Sequence, residues 1–389
     1  MNRFLFKLTL FLPIPLLMGW VNWTVDPVKL FPGHYWDPAR YKYEIIIAQD
    51  LLAGRSHYQI GPYQELIVDE VMFRNRPHVD VLALGSSVAK PIHESLFGGL
   101  SFFNGSIFGG GLEEMIAVYE LARESGVRPG RVVLQIDATV LGDRSGPSAS
   151  ILAPLLRRAR MRMHLGAEPA RNNAWTAILN ALVPGERATE PVAEEVPFYP
   201  YDALLSPRYL QLSTRFATRS WFSSGGAGKR GIVEQWPRAN QHLMYPDGSI
   251  EWCQWSLDQT PESIRQSSDT SQLKLIAGDS LGPREVQCRM FEAFVSDLLE
   301  SGIVVEIFLP PVNPWQFDRV QGEFQQAGKT LPSTATEAYV RSFAEQHRVR
   351  VRGSLDPRRA GVSEEDFIDF VHLRRAAITR LFQQAAPKS

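Results

Sequence analysis

The chain has 389 residues, 44% of them hydrophobic and 21% charged, with 41 Lys and Arg against 42 Asp and Glu for a net charge of −1. This is enough chain for one large α/β domain with insertions or two modest ones, at the composition of a folded protein. This near-zero net charge gives no sign of a nucleic-acid binder or a polybasic membrane surface.

The first 23 residues, "MNRFLFKLTLFLPIPLLMGWVNW", run apolar after Arg3 and Lys7. About 20 apolar residues span a bilayer as a helix, and residues 4–23 meet that length if Lys7 snorkels to the headgroups. Trp20 and Trp23 suit the far interface, and positive charge before the span predicts residues 24–389 outside the cytoplasm. "MGWVNWTVD" offers no small-residue cleavage site, which favours an uncleaved signal anchor over a cleaved signal peptide. A buried helix of a soluble protein is the third reading.

Residues 24–77 read as a mixed lead-in with one or two short helices. "HVDVLAL" (78–84) is a buried-strand pattern, 111–126 a helix stopped by Gly126, and "RVVLQID" (131–137) a second strand. Beyond a long irregular stretch come a helix at 284–302, a strand at 303–309, a helix at 335–347, a strand at 348–353 and a last helix at 372–385. This alternation predicts an α/β fold with a parallel sheet covered on both faces. Residues 140–283 interrupt it as an insertion, a cap over the site in one reading. Within it, Pro246-Asp247-Gly248 predicts a tight turn between two short strands. "GGAGKRG" (225–231) departs from a phosphate loop and reads as a flexible loop.

The two cysteines, Cys253 and Cys288, show no CxxC or Cys/His spacing, so no metal site and no cofactor is expected. In an extracytoplasmic domain they form either a disulfide or two separate thiols. Lys90 reads as a solvated surface charge, and His34, His57, His78, His93, His164, His242 and His347 receive no role.

Serine chemistry needs a nucleophile on a tight turn, an imidazole base, a carboxylate to orient it, and donors for the oxyanion. Ser87 follows the 78–84 strand in "LGSSVAK", where Gly85 permits a sharp turn. "FFNGSIFGGG" (102–111) places a glycine-rich segment before a helix, a natural source of N–H donors. Asp369 and His372 in "DFVH" lie at a spacing that lets the carboxylate bond the imidazole locally. A second candidate is Ser280 in "GDSL" (278–281). Fewer than a hundred residues separate it from His372, with no room for the remaining elements, so Asp279 or Ser280 reads better as a cap on the helix near Arg284. Plainer readings stand beside the chosen residues. Ser86 and Ser87 would only close a turn, Asp369 only cap the last helix, and Gly109 to Gly111 only form a hinge.

In order and spacing these pieces resemble the SGNH, or GDSL-type, hydrolase superfamily. Gly85-Ser86-Ser87 matches its first block, "NGSIFG" (104–109) its second, and Asp369-Phe370-Val371-His372 its fourth. The third block departs, with "DAT" (137–139) where a Gly-x-Asn is usual. The resemblance implies a three-layer α/β/α domain over 78–389, with Ser87, His372 and Asp369 catalytic. It places the oxyanion and substrate contacts at Gly109, Asn104 and Val88, with Asp137 or Thr139 where the asparagine donor belongs. With the anchor, "GSS" and "IFLPPVNPW", the chain is similar to extracytoplasmic SGNH-like proteins of bacterial envelope acylation, such as the alginate O-acetyltransferase proteins and the D-alanine transfer protein of teichoic acids. That similarity implies O-acyl transfer to or from a cell-surface polysaccharide at the bacterial inner membrane, facing the periplasm, beside a multi-pass acyltransferase of the MBOAT type. A plain esterase or lipase, and a non-catalytic assembly or polysaccharide-binding subunit, are the alternatives.

Overall fold

The computed structural model describes residues 13–25, 42–58, 62–76, 78–142, 149–163, 165, 210, 214, 241–267 and 282–384. The chain divides into two compact units, residues 1–37 with 160–229 and residues 38–159 with 230–389.

The first unit includes helix α1 (Pro13–Val25). It exposes Ile14, Leu16, Leu17 and Trp20. Among the described residues no helix is long and apolar enough to cross a membrane. Most of the expected span's first half, residues 4–12, lies outside the described residues, as do Asp279, Ser280 and the 225–231 loop.

The second unit opens with α2 (Lys42–Leu52), β1 (His57–Tyr58) and α3 (Pro62–Asn75), then β2 (Val81–Leu84), β3 (Phe102–Asn104), α4 (Leu112–Glu124) and β4 (Arg131–Gln135). A hairpin of β5 (Leu243–Met244) and β6 (Ile250–Glu251) follows, then α5 (Glu285–Glu300), β7 (Val304–Leu309), α6 (Pro314–Gln326), α7 (Pro332–His347), β8 (Arg350–Gly353) and α8 (Arg375–Gln383). Five strands form a parallel sheet in the order β3-β2-β4-β7-β8. The fold is thus α/β with a parallel five-stranded sheet.

The sequence explains this sheet. Strands β2 and β4 are nearly continuous Val, Leu and Ala, and β2 is buried throughout. Strands covered on both faces show no polar alternation. Val81, Ala83, Val133 and Phe308 pack with Ile378, Leu381 and Phe382 of α8 on one face. On the other, α4 meets α5 through the Tyr119–Phe294 ring pair. Glu306 is the polar exception inside β7, buried but paired with Arg352 and Arg131 from the flanking strands. A buried carboxylate is tolerated only when so matched. The helix at 285–300 starts from Arg284, whose own side chain does not cap it, and the expected cap at Asp279 or Ser280 lies outside the described residues.

The lead-in and the insertion prove to be joined. Strand β1 pairs with β5, and β5 with β6, in a three-stranded antiparallel sheet. The expected turn at 246–248 is present, and it docks on β3. Asn104 N–H donates to Asp247 O at 2.7 Å. A Cβ on Gly248, whose φ is +77°, would sit 2.5 Å from Asn104 O, so only glycine fits this approach.

Candidate active site

The chain turns sharply after β2. A Cβ on Gly85 would meet Ala89 Cβ at 2.6 Å and Gln135 at 2.8 Å. Glycine is therefore required by the closeness of β4. Gln135 uses that closeness, accepting the Ser86 N–H on Oε1 at 2.7 Å. Ser86 caps a short 3-10 turn, Ser87–Ala89, which presents Ser87.

Ser87 and the Asp369–His372 segment, 285 residues apart in the chain, meet here. His372 Nε2 lies 2.7 Å from Ser87 Oγ. His372 Nδ1 lies 2.6 Å from Asp369 Oδ2. Asp369 Oδ1 accepts the N–H groups of Val371 and His372 at 2.8 and 2.7 Å. The loop itself is pinned by the Phe367–Leu373 bridge. Burial pushes the Asp369 carboxyl up, but the facing imidazole and these hydrogen bonds outweigh it and hold the group below its ordinary value of 3.8. Asp369 thus stays ionised and fixes the tautomer with Nδ1 protonated, leaving Nε2 to take a proton from Ser87.

The other expected site residues divide. Gly109 lies in the turn before α4 with φ +71°. Gly110 N–H donates to Ile107 O and Gly111 N–H to Glu114. Among the described residues the Gly109 and Ser87 N–H groups have no partner. Val88 is buried, its N–H only 3.4 Å from Ser86 Oγ, and its side chain lines a small cavity of about 50 Å³ with Thr139 and Val371.

Asn104, Asp137 and Thr139 do not serve as expected. Asn104 is fully buried, and its amide nitrogen faces the carbonyls of Ala89, Lys90 and Ile92 at 2.9–3.1 Å. Two amide hydrogens shared among three acceptors leave nothing for a substrate. Asn104 braces the loop behind Ser87 instead. Asp137 accepts from Thr139 N–H, the Thr139 hydroxyl, Val140 N–H and the Gln135 amide, all at 3.0 Å or less. The single Thr139 hydroxyl proton is spent on this bond. The Asp137 and Thr139 side chains are thus bonded within the turn after β4.

Lys90 is also corrected. It is not solvated but 1% exposed, with Nζ 3.4 Å from Glu65 on α3. Burial drives the carboxyl of Asp69, one turn along α3, up to about 8, with Lys90 opposing and Glu65 adding to the shift. The lead-in helix thereby holds the loop after Ser87 through a buried ion pair.

Asp369 and His372 face a cavity of about 410 Å³, lined also by Phe108, His242, Trp252 and Trp255 among others. Trp252 leans on the His372 ring at 4.8 Å between centroids and holds its indole N–H on Leu373 O. Phe108 and His242 stack nearly parallel. His242 went unassigned because it sits in an irregular stretch without periodicity. The aromatic run "EWCQW" (251–255) was the one signal near it. Cys253 is a buried free thiol beside this cavity and Cys288 is a separate one, so the two are not bridged. Among the described residues no group of His, Cys, Asp or Glu is arranged to hold a metal ion.

Neither a family model nor a curated protein matches this chain.

Proposed function

We propose that this protein is an SGNH-type serine acyltransferase that moves an acyl group, acetyl or similar, to or from a cell-surface polysaccharide through an acyl-serine. The observation that carries the reading is the continuous Ser87–His372–Asp369 hydrogen-bond chain. The sheet order, equivalent to 2-1-3-4-5 along the strands of the parallel sheet, adds support. Ser87 follows the strand at the switch point of that order, where open α/β sheets place their ligands.

In the proposed reaction Ser87 Oγ attacks the acyl carbonyl while its proton passes to His372 Nε2. The oxyanion is received by the Ser87 and Gly109 N–H groups. Collapse expels the donor alcohol, which leaves with the proton from His372. An acceptor hydroxyl then gives its proton to His372, attacks the acyl-serine carbonyl and departs as the new ester, returning the proton to Ser87. Two backbone donors without a side-chain amide imply a slower chemical step, since one oxyanion donor is worth about a hundredfold or more.

The exposed apolar face of α1 supports the N-terminal segment as a membrane anchor, with this domain on the periplasmic side of a bacterial inner membrane. A multi-pass acyltransferase of the MBOAT type is the proposed supplier of acyl groups. The closed turn at Asp137 favours one alternative, a catalytically silent polysaccharide-binding or assembly subunit.

The test is incubation of the full chain in detergent with p-nitrophenyl acetate, followed by peptide mass spectrometry. The expected adduct is acetyl on the Ser87 peptide, absent in Ser87→Ala. No adduct, or one elsewhere, rejects the reading.

A further inference from the structure

The geometry points to His242 as the residue that binds the acyl acceptor, donating from Nε2–H to a hydroxyl of a neutral pyranose seated on the aromatic cleft beside His372. The assignment rests on the acyl-serine reading above and deepens it. Three observations carry it.

The first is the tautomer. His242 Nδ1 accepts the Cys253 backbone N–H at 3.1 Å. A neutral imidazole whose Nδ1 accepts carries its proton on Nε2. Among the described residues that N–H has no partner, and the ring lines the cavity. An unspent donor in a half-buried aromatic wall is matched only when a ligand arrives. Burial, then the neighbouring charge of His372, lowers the His242 pKa from 6.5, so the ring stays neutral and does not act as a cation.

The second is placement. Trp252 touches both imidazoles, with its ring 4.9 Å from His242 and 4.8 Å from His372 between centroids. Both imidazoles line the one cavity, so a sugar that brings a hydroxyl to His372 enters the space His242 faces. Phe108, Trp252 and the largely exposed Trp255 supply apolar area for the C–H faces of such rings.

The third is charge. Among the described residues no Lys or Arg lines this cavity, and the one formal charge among them is the Asp369 carboxylate. A uronate or phosphate would face a carboxylate with no cation to answer it. A neutral sugar meets only aromatic faces and one neutral donor.

The experiment follows acetyl transfer from p-nitrophenyl acetate to methyl glucopyranoside, methyl galactopyranoside and methyl glucuronide by mass spectrometry, in the full chain. Fluorophosphonate labelling of Ser87 is measured in parallel. Wild type is expected to acetylate at least one neutral glycoside and to disfavour the glucuronide by tenfold or more. His242→Phe, folded and still labelled at Ser87, is expected to transfer about five- to tenfold less relative to hydrolysis, the worth of one neutral hydrogen bond. His242→Gln, which keeps an amide donor, is expected to recover part of the transfer. The assignment is overturned by an unchanged transfer-to-hydrolysis ratio in His242→Phe. Equal transfer to the glucuronide, or hydrolysis without transfer to either neutral glycoside, also overturns it. Loss of labelling in His242→Phe places the residue at Ser87 and overturns it too. Absence of labelling in wild type instead fails the acyl-serine reading itself.

Discussion

Two loops at the carboxyl edge of the sheet each turn on an aspartate, and they end differently. Asp369 spends Oδ1 on the N–H groups two and three residues ahead and keeps Oδ2 for the imidazole of His372, which reaches Ser87. Asp137 spends Oδ1 on the same kind of local donors, Thr139 and Val140, but gives Oδ2 to Gln135 in its own strand. The same side chain in the same local role makes a site in one loop and a closed turn in the other. The difference is whether the last acceptor meets a side chain that extends across the cleft. Gln135 ties the two regions together, because its other amide atom holds the Ser86 N–H.

The largest effect that separates the loops is expected at His372. His372→Ala should lower hydrolysis of p-nitrophenyl acetate by a thousandfold or more while leaving the melting temperature near wild type. Asp369→Asn keeps a backbone acceptor but can donate to His372 and favour the wrong tautomer. A loss of kcat on the order of a thousand- to ten-thousandfold is expected. Asp137→Asn should instead cost about 1–2 kcal/mol of stability, read by urea denaturation, with activity within tenfold of wild type. If the two asparagine variants lose activity equally, the contrast between the loops is wrong.

The buried charge behind Ser87 gives smaller effects, on stability. Lys90→Met leaves Glu65 of α3 without its ion-pair partner. A loss of about 3 kcal/mol is expected, since unmatched buried charges are costly. Asp69 carries the pH signature. Its carboxyl is raised from 3.8 to about 8 in the folded chain. Between these values the folded state holds a proton that the unfolded state has released. Stability should therefore fall as pH rises from about 4 to about 8. Asp69→Asn should flatten that fall, and an unchanged slope across the window contradicts the assignment.

The two ends of the triad were legible in sequence because each is local. A glycine and two serines after a fully apolar run mark a strand-end turn, and the i, i+3 spacing of Asp369 and His372 is itself the hydrogen-bonded geometry. The strands at 81–84, 131–135 and 304–309 were legible because burial on both faces leaves unbroken apolar runs. Strand β3 was not, being three residues inside a glycine-rich block, nor was the β1–β5 pairing, whose strands of two residues carry no periodicity. Lys90 misled because its partners lie on α3, which no local pattern connects to it. Asn104 misled because its acceptors are backbone carbonyls, invisible in side-chain identity. His242 gained its place from ring contacts with residues far along the chain and nearby, Phe108 and Trp252.

The most direct measurement is fluorophosphonate labelling of the full chain in detergent, comparing wild type, Ser87→Ala and Ser280→Ala. The expected result is one labelled serine, lost in Ser87→Ala and retained in Ser280→Ala. Labelling that survives Ser87→Ala, or a folded wild type that takes no label, would contradict an activated nucleophile at Ser87.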